Sequence, residues 1–286
     1  MPRNVYPQFP SRTYVDSFLR AALAEDVGAG DVTTRAVAGR KRVPATGVCL
    51  AKEPCVVAGL PVALRAFELL DRRVKATGKM KEGARAKKGK ALFRVRGPAQ
   101  ALLGAERVAL NVLSRLCGVA TLTRAFVDRT KGTRAVVLDT RKTTPLMRSL
   151  EKYAVRAGGG ANHRFGLGDA VLIKENHVVL AGGVKEALRR ASRVETPVEI
   201  EVRNLKELGA ALRAGAAWIL LDNFSLPQLR KAVALARGRA VLEASGGVTL
   251  RNVRSIARTG VDFISVGALT HSAPAANLSF VLEERR

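Results

Sequence analysis

The chain has 286 residues, 47% of them hydrophobic, which is enough to bury a large core in two domains. This composition, with glycine scattered along the chain, excludes a disordered or fibrous protein. The 49 basic and 24 acidic residues give a formal net charge of +25, which implies anionic partners such as phosphorylated metabolites or nucleic acid.

The three cysteines, Cys49, Cys55 and Cys117, are odd in number and lie in apolar stretches. Such cysteines are typical of reduced core residues, so we expect a cytoplasmic protein. The first 20 residues lack the apolar segment of a signal peptide, and no apolar run is long enough to span a bilayer. We therefore expect no membrane partner.

The first part of the chain predicts a mixture of helices and strands. Apolar residues at helical spacing predict an amphipathic helix over residues 14–24. The acidic segment 25–34 lacks a recognisable metal-ligand spacing, so we interpret it as a turn with capping side chains. Strands are then predicted over residues 46–51, 55–58, 73–77 and 92–96, and helices over 61–70 and 98–116.

Residues 79–90, KMKEGARAKKGK, form a strongly basic segment. A nucleic-acid-binding surface is one interpretation, because lysines neutralise phosphates. We favour a solvated loop or hairpin, because no aromatic residue interleaves with the lysines to stack on bases. Nucleic acid is therefore not an expected partner.

From about residue 135 the pattern changes to short buried strands that alternate with helices. The predicted strands cover residues 135–138, 171–173, 198–202, 218–221, 240–243 and 263–266. The predicted helices cover residues 184–193, 205–214, 226–236 and 250–259. This alternation predicts an α/β fold with a parallel sheet, and the spacing suits a (β/α) barrel.

Cationic side chains are concentrated in residues 139–177, near the ends of two predicted strands. They are Arg141, Lys142, His163, Arg164 and Lys174. A guanidinium group holds a carboxylate or phosphate with paired hydrogen bonds, and an ammonium group adds a compact charge. Because these residues follow strands and glycine turns, the segment predicts a site for a small, multiply charged anion.

A helix is expected between these two strands. Thr144 and Pro145 are typical of a helix start, where a hydroxyl group caps free N–H groups and proline has no N–H to leave unpaired. The helix should end near residues 155–157, because the glycines 158–160 tolerate positive φ angles.

Acidic residues follow two neighbouring strands of the predicted barrel. Catalytic groups of such barrels lie at the carboxyl ends of the strands, so Glu201 and Asp222 should be neighbours there. Two carboxylates could hold Mg²⁺, which prefers oxygen ligands. Alternatively, each forms a salt bridge with a nearby lysine or arginine, and the sequence leaves both interpretations open.

The last strands of the predicted barrel end in small residues. Ser245, Gly246 and Gly247 precede a helix that we expect to begin near Thr249, which makes them a candidate phosphate cradle. Phosphate sites of such barrels often form from the last two strand–helix loops, and Gly267 ends the final strand.

Several longer segments match the signature of a known family. They are EDVGAGDVTT, AERVALNVLSRLCGVAT, TRKTTPLMRSLEKYAVRAGGGANHRFGLGDAVLIKENH, EIEV, LLDNF, EASGGV and ISVGALTHS. These segments cover nearly the whole chain and resemble the quinolinate phosphoribosyltransferases, or carboxylating nicotinate-nucleotide pyrophosphorylases. The resemblance implies conversion of quinolinate and phosphoribosyl pyrophosphate to nicotinate mononucleotide, pyrophosphate and CO₂ with Mg²⁺, in NAD synthesis.

The resemblance also implies the architecture and the assembly. It implies an N-terminal α/β sandwich domain over residues 1–116 and an incomplete (β/α) barrel over residues 117–286. The C-terminal tail could return to the first domain. The expected assembly is a homodimer or a set of dimers.

Site residues follow from the resemblance by motif. Residues expected to hold the quinolinate carboxylates and the phosphates are Arg141, His163, Arg164 and Lys174. Residues expected to act in catalysis are Lys142, Lys174, Glu201 and Asp222, with Glu201 and Asp222 as ligands of Mg²⁺. Residues expected to hold the ribose 5-phosphate are Ser245, Gly246, Gly247, Gly267 and His271. Arg107 is expected to reach the site from the partner subunit.

Two positions depart from the family pattern. Leu146 stands where the family usually has glycine, and Cys117 stands where it commonly has serine. Neither change removes a charged contact, so we expect small effects on helix entry and packing. Two alternative functions remain to be tested: a related phosphoribosyltransferase that uses another pyridine or carboxylated ring, and a basic protein that binds nucleic acid.

Overall fold

The computed structural model describes residues 9–39 and 42–283. The interpretation of residues 1–8, which concerned a signal peptide, therefore lies outside the described residues. The chain divides into two compact units, each built from separate stretches of sequence. The first unit comprises Met1–Arg124, Thr144–Gly159 and Ala273–Arg286, and the second comprises Ala125–Thr143 and Gly160–Ser272.

The helices and strands of the described residues follow one another along the whole chain. The helices are α1 (Arg12–Val27), α2 (Val32–Ala38), α3 (Leu60–Leu70), α4 (Ala99–Thr130), α5 (Arg148–Ala157), α6 (Glu175–Ala181), α7 (Val184–Ala191), α8 (Leu205–Arg213), α9 (Leu226–Ala236), α10 (Val253–Ala257) and α11 (Ala268–His271). The strands are β1 (Pro44–Ala51), β2 (Cys55–Val56), β3 (Lys75–Lys79), β4 (Arg85–Ala86), β5 (Ala91–Pro98), β6 (Val136–Leu138), β7 (Val171–Ile173), β8 (Val198–Val202), β9 (Trp218–Asp222), β10 (Val241–Ser245), β11 (Phe263–Ser265) and β12 (Leu278–Leu282).

The first unit is built on an antiparallel sheet with strand order β12-β1-β5-β3. The last strand, β12, thus comes from the C-terminal tail and pairs with β1. A cluster of aromatic rings from Phe67, Phe93 and Phe280 packs on this sheet, with ring centroids 5.5 to 6.3 Å apart. Burial of three large apolar side chains in contact is the main source of stability in a core of this kind.

The predicted amphipathic helix at the N-terminus is confirmed and is longer than expected. The Ser11 side chain accepts a hydrogen bond from the N–H of Tyr14 and so caps the start of α1. The apolar face of α1 buries Val15, Leu19 and Leu23, as the spacing of apolar residues along a helix requires.

The long helix α4 passes through both units, with Ala99–Arg124 in the first and its remainder in the second. The helix predicted over residues 98–116 therefore continues well past its expected end, and the predicted domain boundary at 116–117 falls inside it.

By length and composition alone α4 could cross a membrane, but 56% of its most apolar 18-residue window is buried inside the structure. Such burial is typical of a core helix.

The second unit contains a six-stranded sheet with the order β6-β11-β10-β9-β8-β7. The strand pairings of this sheet are all parallel within the described residues. The predicted α/β fold with a parallel sheet is therefore confirmed, and the edge strands β6 and β7 leave the sheet open, as an incomplete barrel does.

The turn with capping side chains predicted within residues 25–34 is confirmed, because a turn follows α1 and Asp31 caps α2 by accepting from the N–H of Thr34. The predicted helix start at Thr144 was wrong, because a buried carboxylate binds the capping group. Thr144 does not begin a helix; its N–H and hydroxyl donate to Glu151, and α5 starts at Arg148. Leu146 has a φ angle of 61°, which no helical residue adopts.

The helix expected near Thr249 also begins later than predicted. The N–H of Thr249 donates to Oδ1 of Asn252, which closes a turn, and α10 starts only at Val253. Two further short helices of the second unit, α6 and α11, were not predicted from the sequence.

The three cysteines are buried and free, as predicted for core residues, and burial raises the pKa of Cys49 to about 12.

Candidate active site

A cavity of about 680 Å³ opens at the carboxyl ends of the parallel strands in the second unit. All but one of the predicted site residues line it. They are Arg141, Lys142, His163, Arg164, Lys174, Glu201, Asp222, Ser245, Gly246, Gly247, Gly267 and His271. Arg107 is not among the lining residues; it is exposed on α4 in the first unit.

Lys142 lies on a short segment that is held against α11. Its carbonyl oxygen accepts a hydrogen bond of 2.7 Å from the hydroxyl of buried Thr270. A Cβ atom at Gly267 would lie 3.1 Å from the His271 ring and 3.2 Å from Cδ of Lys142. The absence of a side chain at Gly267 therefore lets these two basic groups approach each other beside the backbone.

The loop that carries His163 is fixed by buried Asp139. Oδ1 of Asp139 accepts from the N–H of His163 at 2.9 Å, and Oδ2 accepts from Nδ2 of Asn162 at 2.5 Å. A parallel bridge between Leu138 and Ala161 places this loop alongside β6. Because Asp139 follows β6 directly, one strand end positions Arg141, Lys142 and the His163 loop together.

Both ring nitrogens of His163 contact protein groups. Nδ1 accepts a hydrogen bond of 2.7 Å from the N–H of Arg164, which assigns the ring proton to Nε2. Nε2 lies 2.9 Å from Oε2 of Glu199 and 3.5 Å from Oε1 of Glu243. The histidine therefore links the loop of Arg164 to two acids in the interior of the sheet.

Glu243 is completely buried, which favours the protonated form of its carboxyl group. Burial raises the pKa of this group to about 8, and the nearby charge of Glu199 acts in the same direction. The charge of His163 and hydrogen bonds from Ser265 and from Nε1 of Trp218 favour the charged form but only partly offset these effects. The base of the cavity thus contains a carboxyl group of raised pKa beneath a rim of cations.

Glu201 and Asp222 lie at the ends of β8 and β9, as predicted. Oε2 of Glu201 is 3.3 Å from Nζ of Lys174, so Glu201 forms the salt bridge that was one of its two interpretations. Oδ2 of Asp222 accepts from Nδ2 of Asn223 at 2.9 Å. Because the side chain of Lys174 is 51% exposed, its ammonium group can turn towards a bound anion and release the Glu201 carboxylate.

Two groups of side chains could hold a cation. His163, Glu199 and Glu243 offer ligand atoms within 4.8 Å of one another. Both Glu243 oxygens, however, already accept hydrogen bonds, and the raised pKa of this carboxyl group disfavours the charged form that binds a metal. Glu201 and Asp222 on the open rim fit a hydrated Mg²⁺ better, because this ion keeps water and phosphate oxygens in its coordination shell.

The predicted phosphate cradle forms by backbone turns and not at a helix start. Gly246 and Gly247 have φ angles of 93° and 57°, which favour glycine. A Cβ atom at Gly246 would lie 2.1 Å from Oδ1 of Asn223, so no larger residue fits. The loop stays in place because Nδ2 of Asn252 donates to the carbonyl oxygen of Gly247 at 2.9 Å.

Sequence reasoning did not single out several residues that shape the site. They are Asp139, Asn162, Glu199, Trp218, Glu243 and Ser265. A signal for one of them was present, because alternate residues of a strand share a face, and Glu199 lies two residues before Glu201 in β8, where both alternate with apolar residues. An acid inside a strand of otherwise apolar residues indicates a candidate site residue.

Comparison with known proteins identifies the family. The model of the quinolinate phosphoribosyl transferase N-terminal domain matches residues 31–117, and that of the C-terminal domain matches residues 119–281. The chain is 46% identical to the carboxylating nicotinate-nucleotide pyrophosphorylase of Mycobacterium leprae, over 89% of this chain and 92% of that protein. It is 41% identical to the probable carboxylating nicotinate-nucleotide pyrophosphorylase of Bacillus subtilis, over 89% of each chain.

A solved structure agrees with these sequence matches. The nicotinate-nucleotide pyrophosphorylase of Francisella tularensis superposes with a TM-score of 0.92 at 38% identity and covers 98% of both chains. The chain therefore belongs to the quinolinate phosphoribosyltransferase family, with both of its domains present in sequence order.

Proposed function

We propose that this chain transfers the phosphoribosyl group of phosphoribosyl pyrophosphate to quinolinate, with loss of CO₂, to form nicotinate mononucleotide for NAD synthesis. The observation that carries the proposal is the single cavity that brings together cations, two rim acids and a glycine cradle. Its volume of about 680 Å³ suits two small anionic substrates side by side. Family membership supports the same reaction.

Quinolinate carries two carboxylates, so it needs at least two charge-assisted clamps. We assign these to Arg141, Arg164 and Lys174, whose side chains line the cavity. His163 contributes mainly by holding the Arg164 segment, because its ring nitrogens contact Arg164 and the buried acids. Glu243 lines the same cavity, and its raised pKa reduces the negative charge that would repel the two carboxylates.

Phosphoribosyl pyrophosphate is bound on the opposite side of the cavity in this proposal. The backbone of Gly246 and Gly247, with Ser245, Gly267 and His271, holds the 5-phosphate, because N–H groups of glycine turns bind anions. Glu201 and Asp222 would hold the Mg²⁺ ion at this side of the cavity. When bound, Mg²⁺ would neutralise charge that develops on the departing pyrophosphate.

The reaction then needs positioning more than a reactive side chain. The pyridine nitrogen attacks C1 of the ribose as the bond from C1 to pyrophosphate breaks, through a state with oxocarbenium character. The bound pyrophosphate accepts the electron pair, and Lys174 stabilises its charge. Arg141 and Arg164 keep the ring in line with C1, which lowers the entropic cost of attack.

Decarboxylation follows from the new positive charge on the pyridine nitrogen. The bond between C2 and its carboxylate breaks, CO₂ leaves, and the electron pair remains at C2 beside the cationic nitrogen. A proton must then reach C2. Lys142 is our candidate donor, since it lies beside His271 at the cavity and carries an ammonium group.

We also propose a cytoplasmic homodimer in which Arg107 completes the site of the partner subunit. The exposed position of Arg107 on α4 leaves its guanidinium group accessible to another subunit. Helix α6 supports an assembly, because it buries no residue within the chain although Val179 and Leu180 are apolar and 74% and 82% exposed. Buried free thiols support a reducing compartment.

The identity of the ring acid is tested by a steady-state assay with phosphoribosyl pyrophosphate and Mg²⁺. We expect release of CO₂ and pyrophosphate from quinolinate but not from nicotinate, because the site is built for two carboxylates. Turnover of nicotinate with quinolinate inert would favour a related phosphoribosyltransferase. Absence of pyrophosphate release, together with tight and strongly salt-dependent DNA binding, would favour a nucleic-acid-binding protein.

Shared sites are tested with mixed dimers of Arg107→Ala and Arg141→Ala chains. Each variant alone should lose about 100-fold or more in kcat/KM, because a charge-assisted clamp is removed. Coexpressed chains with two different tags should regain about a quarter of wild-type activity, since half of the dimers are mixed and each has one intact site. If the mixed dimers do not regain activity, Arg107 acts within the site of its own chain. Mixed dimers of Arg141→Ala and Arg164→Ala are the matched control and should show no recovery.

The neutral state of Glu243 is tested by pH-dependent unfolding of Glu243→Gln. Since the pKa of Glu243 is raised to about 8, its contribution to stability is full below the unfolded-state value and is lost as pH rises towards 8. The wild type should therefore lose stability relative to the Gln variant between about pH 5 and pH 8. Exposed Glu195→Gln serves as the control. Parallel stability curves for wild type and Glu243→Gln would contradict the assignment.

A further inference from the structure

The chain crosses between its two units next to two residues of the site. It leaves the second unit between Thr143 and Thr144, and again between Ser272 and Ala273. Lys142 and His271 lie two residues before these crossings. Whatever holds Thr144 and Ala273 therefore limits the positions that these two basic residues can reach.

An ion pair of the first unit, between buried Glu151 and partly exposed Arg115, contacts both of these residues. Glu151 on α5 is fully buried, and its Oε1 accepts from Nε and Nη2 of Arg115 at 2.9 and 2.7 Å. The same carboxylate accepts from the N–H of Thr144 at 3.1 Å and from its hydroxyl at 2.8 Å. Nη1 of Arg115 donates to the carbonyl oxygen of Ala273 at 2.8 Å.

The second unit holds the same two segments together on its own side. The hydroxyl of Thr270 donates to the carbonyl oxygen of Lys142 at 2.7 Å. Thr270 is fully buried, so this bond is not exchanged with water. The segments that carry Lys142 and His271 are thus joined by a hydrogen bond in the second unit and by the contacts of Arg115 and Glu151 in the first unit.

From these contacts we infer that Arg115 and Glu151 are positioning residues for the reaction. The pair fixes Thr144 and Ala273, and through them the placement of Lys142 and His271 at the cavity. The inference rests on the proposed function for its catalytic consequence. Desolvation of the buried Glu151 carboxylate offsets much of the attraction within the pair, so a positioning role explains its presence better than a stabilising one.

The test compares Glu151→Gln with a matched ion pair outside these segments. Arg65 and Asp16 form a similar two-point contact, with distances of 2.7 and 2.8 Å, between α3 and α1. Asp16→Asn therefore breaks an arginine–carboxylate pair without touching Thr144 or Ala273. Thr144→Val is a milder second variant, because it removes one hydroxyl donor and leaves the pair of Arg115 and Glu151 intact.

Hydrogen exchange measures the positioning directly and needs no substrate. In Glu151→Gln the amides of residues 141–144 and 268–273 should exchange about tenfold faster, because local opening of these segments becomes easier. In Asp16→Asn these amides should exchange at the wild-type rate. Unchanged exchange in Glu151→Gln would overturn the inference whether or not the chain turns over quinolinate.

Steady-state kinetics on the folded fraction measures the consequence for catalysis. We expect kcat to fall about tenfold in Glu151→Gln and about threefold in Thr144→Val, as when a reacting group is misplaced. Asp16→Asn should lower the melting temperature and leave kcat within about twofold of wild type. If kcat per folded chain in all three variants equals the wild-type value, Arg115 and Glu151 have only a structural role. If Glu151→Gln changes hydrogen exchange as expected but the wild-type chain does not use quinolinate, the proposed function is refuted and the positioning of the two segments is not.

Discussion

The parallel direction of six strands is the constraint on which the cavity depends. Every strand of the second unit ends at the same edge, so residues far apart in sequence meet there. Arg141 follows β6, Lys174 follows β7, Glu201 and Asp222 end β8 and β9, and Ser245 ends β10. None of these side chains needs a special local conformation, because the sheet supplies the convergence.

Charge at this edge is arranged in layers. Cations and two acids form the open rim, where water and a bound anion can reach them. Beneath the rim, Glu199 and Glu243 contact His163, and burial raises the pKa of Glu243. A negative charge on Glu243 would repel an anion in the cavity, so burial of this acid and the cations of the rim both favour anion binding.

Structural features that depend on the local sequence pattern were predicted, whereas features that depend on contacts between residues distant in sequence were not. The strand ends and the cationic segment could be predicted because parallel strands impose their own geometry. The continuation of α4 past Leu116 was not predicted, and Gly118 lies within this continuation. In the structure a Cβ there would lie 2.0 Å from the carbonyl oxygen of Pro274, so this glycine permits close packing. Thr144 reads as a cap, but its partner is a buried carboxylate on the following helix.

The central claim is that this one edge recognises two carboxylates on a single ring, and binding affinity tests it most directly. Isothermal titration of the wild-type chain with quinolinate and with nicotinate, at the same ionic strength, compares a diacid with a monoacid of the same ring. The account predicts that quinolinate binds about tenfold or more tightly, because one further charge-assisted clamp is engaged. Equal affinities for the two acids would contradict it.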